Sequence, residues 1–98
     1  MKILYVDDLR SPINQSKEQI YVARSFKKAI NYLKNNKFDI IDLDHDLGEE
    51  KTGYDICKFI IENRIEIPII QIHTANVVGK FNMKQLLERY TKSKIIIK

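Results

Sequence analysis

The sequence predicts an α/β fold with a doubly wound, five-stranded parallel sheet, and three observations support this prediction. Short apolar runs of strand length alternate along the chain with segments whose apolar residues recur at helical spacing. The runs are almost continuously apolar, as is typical of parallel strands that are covered on both faces. The 98 residues contain no linker, repeat or low-complexity tract, so we expect residues 1–98 to form one domain.

The five predicted strands are short and apolar. They comprise residues 2–6, 20–23, 38–43, 69–72 and 95–97. Residues 10–17, between the first two strands, are polar and contain Pro12 and Asn14, which predicts a loop rather than a helix.

Three helices fill the remaining segments. Ser25 is the predicted N-cap of the first helix, whose apolar residues follow the i, i+3, i+4, i+7 spacing. The motif from Thr52 to Asp55 resembles the start of a capped second helix. The third helix carries an apolar stripe formed by Met83, Leu86, Leu87 and Tyr90.

The composition excludes several classes of protein. No apolar run approaches the roughly 20 residues that are needed to span a membrane, and no signal-peptide pattern follows Met1. The single cysteine, Cys57, excludes an internal disulfide and is consistent with a reducing cytoplasm, where we expect the protein to reside. The net charge of +4 is compatible with polyanion binding, but the basic residues lie mostly on predicted helices and turns, where solvated helix faces explain them more simply.

Polar and acidic motifs follow three of the predicted strands. They are Asp7-Asp8 after the first strand, Asp44-His45-Asp46 after the third and His73-Thr74 after the fourth. Right-handed crossovers and the strand order 2-1-3-4-5 place these three strands side by side. Ligands of open α/β sheets bind in the crevice at the carboxyl ends of such strands, so we expect the motifs to form one site.

The carboxylates of this edge predict a divalent-cation site. Asp7 and Asp8 are adjacent and repel each other, and a bound Mg²⁺ or Mn²⁺ would offset this repulsion because such ions prefer oxygen ligands. Asp44 is the expected third ligand. Asp42 projects to the same side as Asp44 if the strand pleat continues, so it either supports the ligands or accepts a hydrogen bond within the sheet. The simpler alternative for the acidic pair is a turn cap beside a solvent-facing neighbour.

His45 and His73 are candidate catalytic residues, because imidazole exchanges protons near neutral pH. One would activate water and the other would protonate the leaving oxygen of a phosphodiester, while Asp46 would orient an imidazole. Either histidine is alternatively a metal ligand or ordinary polar surface. Arg10 is a candidate bidentate phosphate ligand, or a member of a surface ion pair.

Thr74 and Asn76 offer neutral hydrogen-bond partners for a phosphate or a ribose. Asn76 is alternatively the cap of the helix that follows it.

These residues together resemble the receiver domain of two-component signalling over almost the whole chain. Asp7 and Asp8 match the acidic pair of that family, and Asp44 falls at its phospho-accepting aspartate. Gly53 matches the glycine that opens the next helix, and Lys98 follows the last strand like the lysine of the family. The resemblance implies a flavodoxin/receiver-like fold in which Lys98 contacts the phosphoryl group.

The chain also differs from an ordinary receiver. His73 or Thr74 stands at the position of the hydroxyl residue, and the sequence stops at Lys98 without the last receiver helix. We therefore expect an exposed edge on the final strand, which leaves a homodimer or a protein partner open.

Four ordered motifs narrow the resemblance to the cyclic-phosphate-processing receiver family. They are Val6-Asp7-Asp8-Leu9-Arg10-Ser11-Pro12, Leu43-Asp44-His45-Asp46-Leu47-Gly48, Thr52-Gly53-Tyr54-Asp55 and His73-Thr74-Ala75-Asn76. This resemblance implies a role in processing cyclic phosphates, such as those left by cleavage of nucleic acids or nucleotide derivatives.

Three functions remain open from the sequence. The first is a metal-dependent phosphoesterase acting on the cyclic phosphates of nucleotides or nucleic-acid ends. The second is a signalling module in which Asp44 accepts a phosphoryl group. The third is an inert domain that binds a nucleotide or a protein partner.

Overall fold

The computed structural model describes residues 1–12 and 19–98. Its elements are β1 (Lys2–Val6), β2 (Gln19–Ala23), α1 (Phe26–Asn35), β3 (Ile40–Leu43), α2 (Gly53–Glu62), β4 (Ile69–Ile72), α3 (Val77–Tyr90) and β5 (Lys94–Ile97). The strands form one parallel sheet in the order β2-β1-β3-β4-β5. This order confirms the predicted flavodoxin/receiver-like class. Most of the loop predicted at residues 10–17 lies outside the described residues.

The three helices pack side by side on one face of the sheet. The connections from β2 to β3, β3 to β4 and β4 to β5 all run in the same direction across the sheet, so right-handed crossovers bring α1, α2 and α3 to the same face. Helix α2 accordingly contacts both α1 and α3. The sheet residues in the core beneath these helices are Leu4, Val6, Ala23, Ile41, Leu43, Ile70 and Ile72.

The opposite face of the sheet has a different composition. Tyr5, Asp42 and Gln71 lie side by side in the register of β1, β3 and β4, and none of them belongs to the hydrophobic core cluster. Side chains alternate between the two faces of a strand, so an apolar core on one face leaves this second row of residues on the other. The sequence predicts a sheet that is covered on both faces, and in the described part of the chain helices cover one of them.

Each helix begins with a side-chain cap. The Ser25 hydroxyl accepts from the Lys28 N–H, and Thr52 and Asp55 form the reciprocal capping box that their spacing predicts. Asn76 caps α3 by accepting from the Gly79 N–H. None of the helices in the described ranges is long and apolar enough to cross a membrane.

Candidate functional site

A row of charged residues extends the sheet by one residue at its carboxyl edge. The backbone N–H groups of Asp44, His73 and Lys98 each donate to the carbonyl of a neighbouring strand. Each of these residues lies two positions after a strand residue of the face opposite the helices, namely Asp42, Gln71 and Ile96, and Asp7 lies two positions after Tyr5. Because side chains two positions apart point to the same side of a strand, the row lies on that face. The site therefore forms where that face meets the carboxyl edge.

His73 lies between two carboxylates at the centre of this row. Its Nδ1 lies 2.5 Å from Asp42 Oδ1 and its Nε2 lies 2.9 Å from Asp7 Oδ2, both within hydrogen-bonding distance. The ring stacks on Tyr5, with ring centroids 4.8 Å apart and an angle of 8° between the planes. Because a carboxylate only accepts, this arrangement favours an imidazolium that carries a proton on both nitrogens.

The pKa of His73 reflects two opposing effects. Burial disfavours its charge, but the hydrogen bonds to Asp42 and Asp7 outweigh burial and raise the pKa above its ordinary value. Burial likewise opposes ionisation of Asp42, and its bonds to His73 and Lys98 nevertheless lower its pKa. The two carboxylate partners therefore favour the protonated form of His73.

Arg10 connects two of the carboxylates. Its Nε donates to Asp7 Oδ2 at 3.0 Å, and its Nη2 donates to Asp44 Oδ2 at 3.2 Å and to the His73 carbonyl at 3.3 Å. Its Nη1 has no hydrogen-bond partner in the described part of the chain, and its side chain is 58% exposed. The guanidinium is thus fixed on one side and open on the other.

Arg24, at the end of β2, holds the loop that carries Arg10. Its Nη1 donates to the backbone carbonyls of Asp7 and Arg10, and its Nη2 donates to the Ser11 hydroxyl at 2.8 Å. Nothing in the local sequence distinguishes Arg24 from a surface arginine, so its role at the site was not predicted.

Lys98 completes the cluster by contacting Asp42. Its Nζ donates to Asp42 Oδ2 at 2.6 Å. The site therefore contains three carboxylates, from Asp7, Asp42 and Asp44, and three cationic side chains, from Arg10, His73 and Lys98.

Asp7 is the most enclosed carboxylate of the cluster, with 1% of its surface exposed. Burial opposes its ionisation, but the N–H groups of Arg10 and Leu9 and the imidazole of His73 lower its pKa. Asp7 is therefore ionised and fully bonded at neutral pH.

The donor set fits a divalent cation. Asp7, Asp44 and His73 offer ligand atoms that lie within 4.8 Å of one another. Carboxylate oxygens with one imidazole suit Mn²⁺, and the oxygens alone suit Mg²⁺. Asp8, the remaining predicted ligand, is outside this group, and its Oδ2 lies beside Gly48, 2.8 Å from where a Cβ would stand.

His45 belongs to a separate network at the start of α3. Its Nδ1 bonds Asp46 Oδ1 at 2.9 Å, and the Asn76 amide donates to both carboxylate oxygens of Asp46 at 3.3 Å. A Cβ on Gly79 would stand 2.4 Å from the imidazole, so the ring lies flat against the backbone of the helix. The His45 backbone N–H donates to Asp44 Oδ1 at 2.7 Å, but among the described residues no hydrogen bond joins the imidazole of His45 to His73.

Thr74 and Asn76 have local partners. The Thr74 hydroxyl, which is buried, accepts from the Asn76 N–H at 3.1 Å. Asn76 occupies the N-cap position of α3, as its alternative interpretation predicted. Their proposed contacts with a ligand remain predictions.

Gly53 brings α2 against the end of β3. A Cβ at this position would stand 2.1 Å from the Asp44 carbonyl oxygen, and the Gly53 N–H donates to the His45 carbonyl at 2.8 Å. Only glycine permits this approach, which fixes the backbone that presents Asp44.

Comparison with known proteins identifies the family. The family model of the cyclic-phosphate processing receiver domain matches residues 2–89. The chain belongs to this family. None of the curated proteins compared matches this receiver domain.

Solved structures of similar fold are response-regulator receivers. The Francisella response regulator 1452 receiver domain has a TM-score of 0.73 at 20% identity, with 99% of this chain and 83% of that chain covered. The CheY-like receiver domain protein of Methanospirillum hungatei JF-1 has a TM-score of 0.69 at 14% identity, with 99% of this chain and 80% of that chain covered. TrrA from Thermotoga maritima, in complex with Mg(2+)-BeF, has a TM-score of 0.68 at 16% identity, with 99% of this chain and 85% of that chain covered. At these identities the likeness shows the fold of the receiver domain alone.

Replacing Gly79 with alanine should destabilise the protein by about 1–3 kcal/mol, because the new methyl group overlaps the His45 ring. The same substitution in a His45→Ala background should lower the free energy of unfolding by much less, because the ring is absent. Chemical denaturation of the four proteins of this cycle measures the coupling. Equal costs in both backgrounds would contradict the packing described for His45.

The His73 imidazole should titrate above about 6.5, the usual histidine pKa, in protein kept free of metal by a chelator. Asp42→Asn should lower this pKa, because it removes the first of the two carboxylate partners. The pairing stabilises the fold fully below the unfolded pKa, and this contribution is lost as pH rises through the folded pKa. NMR titration of both proteins, with unfolding measured over the same pH range, tests this. A His73 pKa at or below the usual value would contradict it.

Proposed function

We propose that this receiver domain binds and hydrolyses cyclic phosphate esters, with the cyclic phosphates of nucleotides or nucleic-acid ends as the substrate class. The observation that carries the proposal is the open side of Arg10. Its guanidinium is fixed by Asp7 and Asp44 while Nη1 and much of the side chain stay accessible at the strand edge. A fixed, accessible guanidinium suits a phosphate group. The family model, which is named for cyclic-phosphate processing, agrees with this chemistry.

A divalent cation, Mg²⁺ or Mn²⁺, is the proposed cofactor. Asp7 and Asp44 would hold it together with the neighbouring Asp8, which leaves His73 free to keep its protons. When bound, the ion would polarise the phosphoryl group and neutralise part of its charge. The structure of TrrA in complex with Mg(2+)-BeF, a protein of the same fold, supports this choice of ion.

The chain's own residues would bind the substrate and move a proton. Arg10 and Lys98 would hold the non-bridging phosphate oxygens. Water would add to phosphorus as one P–O bond of the ring breaks, the attacking water would lose one proton to a base, and the leaving oxygen would take a proton from an acid. His73 is the proposed donor of this proton, because its carboxylate partners keep it protonated. His45, with Asp46 on its Nδ1, is the proposed base, and its Nε2 would take the proton that the attacking water loses.

His73→Gln should lower kcat on a nucleoside 2′,3′-cyclic phosphate by about 100-fold or more, since it removes the proton donor. Lys98→Met should mainly raise KM, because the lysine binds without transferring a proton. His45→Gln should lose less activity than His73→Gln, because its network is separate. The assay uses purified protein with Mg²⁺ or Mn²⁺ and a chelated control.

Lys84→Met is the matched control for the lysine variant, because Lys84 pairs with Glu88 on the exposed side of α3. Wild-type kcat in folded His73→Gln, or no turnover of any cyclic phosphate by the wild-type protein, would reject the proposed mechanism.

A second candidate function is phosphoryl acceptance by Asp44. It is favoured by the placement of Asp44 at the end of β3, where Gly53 fixes its carbonyl and Arg10 bonds its Oδ2. Against it, Lys98 bonds Asp42 instead of Asp44.

Incubation with acetyl phosphate and Mg²⁺ should give a lasting gain in intact mass if Asp44 is an acceptor, and Asp44→Asn should abolish the gain. Asp46→Asn is the matched control, because that carboxylate contacts His45 and Asn76 outside the charged row. An unchanged wild-type mass would reject phosphoryl acceptance by Asp44.

A further inference from the structure

A cavity of about 480 Å³ adjoins the charged cluster on the face of the sheet opposite the helices. Arg10, Asp42, His73 and Lys98 belong both to its lining and to the cluster. Its volume lies in the range of small-molecule sites, which is roughly 300–1,000 Å³. The cavity is therefore a continuation of the proposed phosphate site.

The lining changes in character along the strands. The first row from the carboxyl edge includes His73 and Lys98, the second includes Tyr5 and Gln71, and the third includes Ile3 and Ile40. Neighbouring residues on one face of a strand are about 7 Å apart. A ligand that lies along the strands thus passes from charged, to hydrogen-bonding, to apolar surroundings.

The middle row contains two polar groups without partners. Tyr5 is 9% exposed, and its hydroxyl makes no hydrogen bond within the described residues. A tyrosine hydroxyl can both donate and accept a hydrogen bond. The half-buried Gln71 amide beside Asp42 is also without a partner in the part of the chain that the structure describes. Buried polar groups are normally paired, so these two groups suit a ligand.

We propose that this cavity binds the organic part of the substrate, a nucleoside whose ring is hydrogen-bonded by Tyr5 and Gln71 while its phosphate lies at Arg10 and Lys98. This inference rests on the proposed function, and it identifies the nucleoside as the part of the substrate that the protein recognises. An uncharged ring system is favoured because the only carboxylate in the middle row, Asp42, is already neutralised by His73 and Lys98. Tyr5 and Gln71 offer both donors and acceptors to the polar edge of such a ring, and the isoleucines of the third row would contact its apolar part.

The test compares binding of a nucleoside 2′,3′-cyclic phosphate, inorganic phosphate and phosphoserine by NMR titration, with a chelator present. The wild-type protein should prefer the nucleoside phosphate to the other two anions. Tyr5→Phe and Gln71→Met should each lower this preference about fivefold, the effect of one lost hydrogen bond. Tyr21→Phe, a tyrosine of β2 that packs against the helix-covered core, is the matched control and should keep the preference.

Equal affinity for the three anions, or a preference unchanged in both variants, would overturn the inference. Turnover with unchanged preference would overturn it while leaving the proposed function intact. A preference that both variants reduce, without any turnover, would support the nucleoside site and reject the hydrolysis.

Discussion

The site depends on the pairing of the His73 imidazolium with two buried carboxylates. The imidazolium donates to Asp42 and Asp7 from opposite sides of one ring and stacks on Tyr5, so it joins β1, β3 and β4 at their carboxyl ends. Buried carboxylates are tolerated only when they are paired and hydrogen-bonded. Without this cation, Asp7 would rely on Arg10 and Asp42 on Lys98, two side chains that are about half exposed.

The same charge balance bears on metal binding. Arg10 already bridges Asp7 and Asp44, so a divalent cation would have to compete with a guanidinium and an imidazolium for these oxygens. Coordination by His73 would also require it to release a proton and one carboxylate partner. Metal binding and the position of Arg10 are therefore linked, and a phosphate drawn to Arg10 would weaken the competition by giving the guanidinium another partner.

The crossover geometry divides the sheet into two surfaces with different roles. Three successive connections in one direction place α1, α2 and α3 over the apolar side, where burial stabilises the fold. The polar residues Asp42 and Gln71 are consequently confined to the other side, next to the charged edge. A residue such as Asp42 is acceptable in a central strand because it meets His73 and Lys98 there instead of the core.

The local sequence predicts the helix caps and the glycine that opens α2, whereas it does not predict which charged groups pair with each other. Thr52 with Asp55 predicted a capping box, and alternating apolar runs predicted the strand order, because both depend on short-range periodicity and on the handedness of crossovers. Arg24 and Tyr5 were missed, since a single arginine or a tyrosine in an apolar strand carries no local signal of what lies across the sheet.

The sequence by itself determined the fold class, the family resemblance and the edge at which the chemistry-bearing residues gather. Only the tertiary structure decided which of them meet: His73 joins Asp7 and Asp42, Lys98 bonds Asp42, and His45 turns toward Asp46 and α3. The physical reason is the pleat together with the register. Strand periodicity gives the edge and the face, but contacts between strands distant in sequence are set by how the strands align and by which cation can neutralise which buried carboxylate.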